Sequence, residues 1–155
     1  MKSLLTTLLL LTAFATGAMA QTTVETKHFN LEKGITALEG YDPVSYHQGK
    51  EPVKGSKNLT TTFNGVTYQF ANQANLDTFN ANPEQYEPAY GGWCAFAMGS
   101  YGKKTKVNPK TFKIVDGKLN LFYNGVFGNT LPKWNDDEAK LKPVAKKNWA
   151  TIISE

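Results

Sequence analysis

Apolar positions along the chain fall into short blocks with two different periods. Val66, Tyr68 and Phe70 alternate with Thr67 and Gln69, which predicts a half-buried strand. Leu59 to Phe63 is β-branched and aromatic, and Asn64-Gly65 separates it from the strand that follows. Asn-Gly between two such runs predicts a hairpin, because both residues tolerate the positive φ of a type I′ turn. Thr111 to Val115 and Lys118 to Phe122 repeat this pattern across Asp116-Gly117. Helical spacing governs other stretches. Asn72 is placed to cap a helix running to about Ala81, with Leu76 and Phe79 three apart on one face. Asn82-Pro83 ends that helix and opens a short turn closing at Tyr86. Cys94 to Tyr101 is small and apolar, which fits either a buried helix or an extended segment. Asp136 to Ile153 predicts a C-terminal helix, with acidic residues at its start and Lys146-Lys147 further on, matching the helix dipole. Pro143 is predicted to kink or split it.

The beginning of the chain has a different character. Met1-Lys2, an apolar run from Leu4 to Ala15 and the small-x-small site Ala18-Met19-Ala20 predict a secretory signal peptide over residues 1–20. That run is shorter than the ~20 residues a membrane-spanning helix needs. Residues 21–37 follow as a polar arm, predicted to be loosely packed through Lys33, with His28 exposed. Gly34 to Gly55 is rich in turn residues and holds one short helix, with Asp42 as its N-cap and Pro43 in its first position. Residues 38–155 then form a single domain with a C-terminal helical extension. The fold class is α+β: a small antiparallel sheet built from two β-hairpins and covered by helices.

Composition narrows the function. Of the 155 residues, 41% are hydrophobic, enough for a packed core. All 17 basic residues are lysine, and the formal net charge is +4. Without arginine the chain lacks the side chain best suited to bidentate phosphate recognition, so a nucleic-acid partner is not expected. One cysteine, Cys94, allows neither an intramolecular disulfide nor a CxxC pair. With only His28 and His47, a Cys/His zinc site needs carboxylates to complete it. There is no Gly-rich phosphate loop, no HExxH and no GxSxG, so no enzymatic activity is expected. No transmembrane segment is expected once the signal peptide is removed. The predicted location is periplasmic or secreted.

The run Val66-Thr-Tyr-Gln-Phe70, then Phe79, then Asn82-Pro-Glu-Gln-Tyr86, resembles the YHS domain. Gly40-Tyr-Asp-Pro-Val-Ser-Tyr46 and Tyr90-Gly-Gly-Trp-Cys-Ala95 resemble a secreted branch of that family, and the likeness extends over roughly residues 38–125. The resemblance implies a hairpin followed by a helix. It also implies binding of copper or another soft metal through cysteines. At the positions matching those thiols this chain has Ser45, Ala71 and Asn75. Alanine has no donor atom, and the oxygens of serine and asparagine suit copper(I) or zinc poorly.

Three groups of residues carry the remaining chemistry. Cys94, His47 and Asp42 are the candidate metal ligands, for copper or zinc. Two readings are open for Cys94: a thiolate favoured by a helix N-terminus, or a small buried hydrophobe. Asp42 is equally placed to be a helix cap, and His47 to be an exposed surface residue. Tyr46, Tyr90 and Trp93 are the candidate walls of a pocket for a small planar or apolar ligand, or else core aromatics whose hydroxyls reach the surface. The leading expectation is therefore an exported binding protein for a metal ion or a small ligand. Its rivals are an interaction module docking on an envelope protein partner and an enzyme built on Cys94.

Overall fold

The computed structural model describes residues 26–49 and 51–155; the signal-peptide expectation lies outside the described residues. The described chain enters through a 3-10 turn at Thr26–His28 and two short strands, Leu31–Glu32 (β1) and Thr36–Ala37 (β2). Two further 3-10 turns, Leu38–Gly40 and Ser45–His47, lead to the first hairpin, Ser56–Phe63 (β3) and Val66–Phe70 (β4). Asn64 and Gly65 at its tip have φ of 51° and 76°, as a type I′ turn requires. Gln73–Ala81 (α1) follows, capped by Asn72, whose side chain accepts the Asn75 N–H, and Pro83–Tyr86 (α2) comes next.

The second half begins with a 3-10 turn at Ala89–Gly92 and the helix Ala95–Tyr101 (α3). The second hairpin, Asn108–Val115 (β5) and Lys118–Phe122 (β6), turns at Asp116 and Gly117 with φ of 50° and 75°. A small ribbon, Asn124–Gly125 (β7) and Gly128–Asn129 (β8), precedes the long helix Leu131–Ile153 (α4).

The chain adopts the α+β class, but its two hairpins do not share a sheet. One sheet has the order β1-β2-β4-β3, while β5-β6 and β7-β8 stand as separate two-stranded sheets. Strand β2 joins the first sheet by parallel pairing of Thr36 with Thr67 of β4. The N-terminal segment is thus packed where its polarity predicts a loose arm. Phe29 enters the core and His28 is buried, its ring held by Lys104 at 3.2 Å. One aromatic and two residues of sheet pairing outweigh the polar composition around them.

Strand β6 serves two cores. Leu119 and Leu121 point into a cluster with Tyr46, Val66, Tyr68, Phe70 and Phe79, while Phe122 belongs to a second cluster with Tyr90, Met98, Trp134 and Ala145. Successive side chains of a strand face opposite ways, so one strand can seal both. Helix α4 starts five residues before the expected Asp136, with Pro132 in its first turn. It also continues through Pro143. The departure from helical geometry sits instead at Asp137, with φ of −128°. Pro143 is exposed, as is Ala139, so the carbonyl that the proline leaves unpaired faces water and the helix tolerates it.

Candidate functional site

Asp42 is the most highly connected polar side chain among those the sequence singles out. It is fully buried, in the turn between β2 and β3. Its Oδ1 accepts the backbone N–H of Val44 at 2.9 Å and of Ser45 at 3.4 Å, as a capping side chain does, although the expected helix is a 3-10 turn that starts only at Ser45, with Val44 in the cap position. Its Oδ2 turns the other way, accepting the Ala71 N–H at 2.9 Å and the Asn75 amide at 2.6 Å. The Ser45 hydroxyl donates to the Asp42 carbonyl at 2.6 Å and accepts the Val53 N–H at 3.1 Å. Asn75 Oδ1 accepts from Gln48 at 3.1 Å. Ser45, Ala71 and Asn75 therefore converge on a single carboxylate. These are the three positions where the family resemblance places thiols. Sequence reasoning marked each of them separately and did not bring them together.

Cys94 lies elsewhere. It caps α3 rather than sitting inside it, and its backbone pairs with Leu121 of β6. The sulfur is fully buried. It accepts the Tyr123 N–H at 3.3 Å and meets the Thr130 hydroxyl at 3.5 Å. Burial and these two partners make it a satisfied core side chain.

His47 is half-buried, edge-on to Tyr86 with ring centroids 5.1 Å apart, and its Nε2 is buried without a partner among the described residues. Burial, reinforced by the nearby Lys118 charge, holds its pKa below the ordinary imidazole value. The structure does not bring Cys94, His47 and Asp42 together. Among the described residues, no three His, Cys, Asp or Glu side chains are grouped so as to hold a metal ion.

The three aromatic candidates also separate. Tyr46 is a core residue whose hydroxyl donates to the Pro109 carbonyl at 3.0 Å. Trp93 donates its indole N–H to the His28 carbonyl at 2.7 Å, with the Lys106 ammonium 5.7 Å from its ring. Trp93 lines a cleft of about 320 Å³ with Phe29, Leu31 and Lys106, and Tyr90 lines a second one. This cleft, of about 390 Å³, lies between the segment Glu87–Tyr90, the β5–β6 hairpin and α4. Lys118, Lys142, Lys146 and Trp149 contribute to it. None of the four is legible as a site residue in the sequence: nothing local ties Lys142, Lys146 and Trp149 on α4 to a turn more than fifty positions earlier, or Lys118 on β6 to the same turn.

Glu87, also on this cleft, has one carboxylate oxygen that is buried and without a partner among the described residues. Burial pushes its pKa above the ordinary 4.5; Lys118 and Asn64 oppose the rise and Glu84 adds to it. In the window above 4.5 the folded protein keeps a proton that the unfolded chain has lost, so this residue's contribution to stability falls as pH rises. His47 acts in the other sense: its contribution is lost as pH falls below about 6.5. Replacing Glu87 by glutamine is expected to favour the variant progressively as pH rises from 4.5, levelling off above the folded-state pKa. Urea midpoints across that range measure the difference, and a gap independent of pH would contradict the assignment.

No helix in the described part of the chain is long and apolar enough to cross a membrane. No curated protein and no solved structure matches the chain. The family model of the YHS domain does match it, over residues 44–90. That span begins two residues after Asp42, includes β4, α1 and α2, and ends at Tyr90. The hairpin, the capped helix and the Asn82-Pro83 ending that carried the resemblance are all present in the fold, and the chain is a YHS domain-containing protein.

Proposed function

We propose that this is an exported, non-enzymatic binding protein whose binding does not run through a thiolate metal site. The YHS family is associated with metal binding, which makes a metal the first ligand to consider. The residues present do not fit a soft metal. Ala71 contributes only its backbone N–H, while the Ser45 hydroxyl and both ends of the Asn75 amide are already engaged. Asp42 has four donors on its two oxygens. Thiols at these places would offer lone pairs to an ion, whereas this set spends its lone pairs on internal hydrogen bonds. Cys94 is sealed in the core, away from Asp42 and His47.

The observation that carries this reading is the Asp42 network, standing where the family resemblance places thiols. The module keeps the fold and uses the former cradle as a structural keystone. That leaves binding to surfaces such as the Tyr90 cleft. Export rests on the leader-like first twenty residues, and N-terminal sequencing of the protein from its source should begin at Gln21.

Titration with Cu(I) and with Zn(II) tests the metal part. Wild type and Cys94→Ser are expected to bind both ions equally, with no 1:1 complex tighter than about 1 μM. A tight 1:1 complex that Cys94→Ser abolishes would overturn the reading.

A further inference from the structure

We infer that the cleft beside Tyr90 is a binding site for a small, flat organic anion. This deepens the reading of the chain as a non-enzymatic binding protein and rests on it. Three features point to the ligand class.

The first is size and lining. About 390 Å³ is at the small end of the range for small-molecule sites, and its walls include Pro88, Val115, Tyr90 and Trp149. Its two aromatic side chains favour a flat, apolar body, and the polar residues beside them a charged group on it.

The second is charge. Three ammonium groups, Lys118, Lys142 and Lys146, face two carboxylates, Glu87 and Asp116. Lys142 pairs with Asp116 at 2.8 Å, and Lys118 donates to the Glu84 carbonyl. Lys146 makes no hydrogen bond or close ion pair with any described residue; its charge acts on Asp116 only at longer range, which leaves its ammonium donors open to an anion. The Tyr90 hydroxyl has no partner among the described residues. Its pKa is pushed up to about 12, first by burial and then by Asp116, so it remains a donor at any physiological pH.

The third is backbone strain. Tyr90 has φ of 55° and ψ of 35°, a left-handed conformation that an aromatic residue rarely adopts. It is held there by its neighbour. Gly91 accepts a hydrogen bond from Asn30 at 2.8 Å and sits so close to the Trp149 ring that a Cβ would lie 2.7 Å from it. A strained residue whose side chain lines a cleft is a recurrent mark of binding sites. Here the strain sets Tyr90 and Trp149 as walls of one space, with the Lys146 ammonium also on it. A carboxylate on Lys146 and the Tyr90 hydroxyl, with its ring against Trp149, satisfies all three features.

Benzoate is the test probe, with benzamide as its uncharged counterpart, followed by NMR of the Trp149 indole in the processed chain. Benzoate is expected to shift that signal saturably in the millimolar range or below, and benzamide to bind at least about tenfold more weakly. Lys146 is exposed, so Lys146→Glu leaves the fold intact and is expected to weaken benzoate by about tenfold or more. Tyr90→Phe is expected to weaken it several-fold. Absence of a saturable shift, or equal binding of benzamide with no effect of Lys146→Glu, would overturn the inference. A Cu(I) titration of the same sample separates the two levels. Tight metal binding through Cys94 would refute the non-metal reading itself, whereas neither metal nor benzoate binding would refute only the ligand class.

Discussion

Asp42→Asn is expected to lower the unfolding free energy by about 3–5 kcal/mol, the range for breaking a buried, charge-assisted network. The carboxylate is acceptor-only and its two oxygens serve four donors. An asparagine keeps one acceptor and turns an NH2 group toward donors on the other side, leaving buried N–H groups unpaired. The network also links distant parts of the chain: Oδ2 reaches residues 29 and 33 positions away, in the turn before α1 and on α1 itself. Its loss should therefore loosen the whole 44–90 unit rather than one turn. Urea unfolding measures the effect, and a double-mutant cycle with Asn75→Ala should show strong coupling, because one hydrogen bond is shared. A loss below about 1 kcal/mol would show that Asp42 does not act as the keystone.

Phe79→Ala is expected to have an effect of similar size, about 3–5 kcal/mol, by a different route. Phe79 is fully buried on α1, and its ring lies against those of Tyr68 and Phe70 at 4.8 and 5.2 Å. Phe63 and Tyr86 complete the surround at 6.4 and 6.3 Å. Truncation removes a side chain that joins the hairpin, α1 and α2, and the rigid aromatics around it cannot collapse fully into the space. Phe79→Leu should recover much of the loss, since it restores most of the apolar volume. If alanine and leucine were equally damaging in urea unfolding, edge and face contacts between rings would matter more than volume.

What could be read from the sequence depended on how far along the chain its physical cause lay. Both hairpin turns were legible, because the residues that bend the backbone are the residues at the bend: Asn64-Gly65 and Asp116-Gly117 carry their own φ preferences. The start of α1 is legible for the same reason, since Asn72 caps the helix that begins at the next residue by accepting the N–H three positions ahead. The start of α4 was missed although Pro132 signals it, because the acidic run at Asp136 offered a second, stronger-looking beginning. The parallel pairing of β2 with β4 had no local signature at all. It joins Thr36 to Thr67, and only tertiary packing selects it.

The candidate site divides along the same line. Asp42 was readable as a cap, which is half of its role; the other half depends on Ala71 and Asn75. The state of Cys94 could not be read from its neighbours, because the groups that enclose its sulfur lie 29 and 36 residues downstream. Two of the lysines and the tryptophan of the Tyr90 cleft come from α4, whose contact with the Tyr90–Gly91 turn is fixed by one glycine's fit against Trp149, and the third lysine, Lys118, comes from β6.

The enclosure of Cys94 has a consequence for the chain's history rather than its final state. Leu121, Tyr123 and Thr130 all follow Cys94 in the sequence, so a chain emerging N-terminus first presents the bare thiol before its cover exists. Until β6 is in place, a single sulfur meets whatever oxidant is present. The side chain that is inert in the finished fold is thus the point of greatest chemical exposure during biogenesis, and swift closure by the C-terminal third is what preserves it.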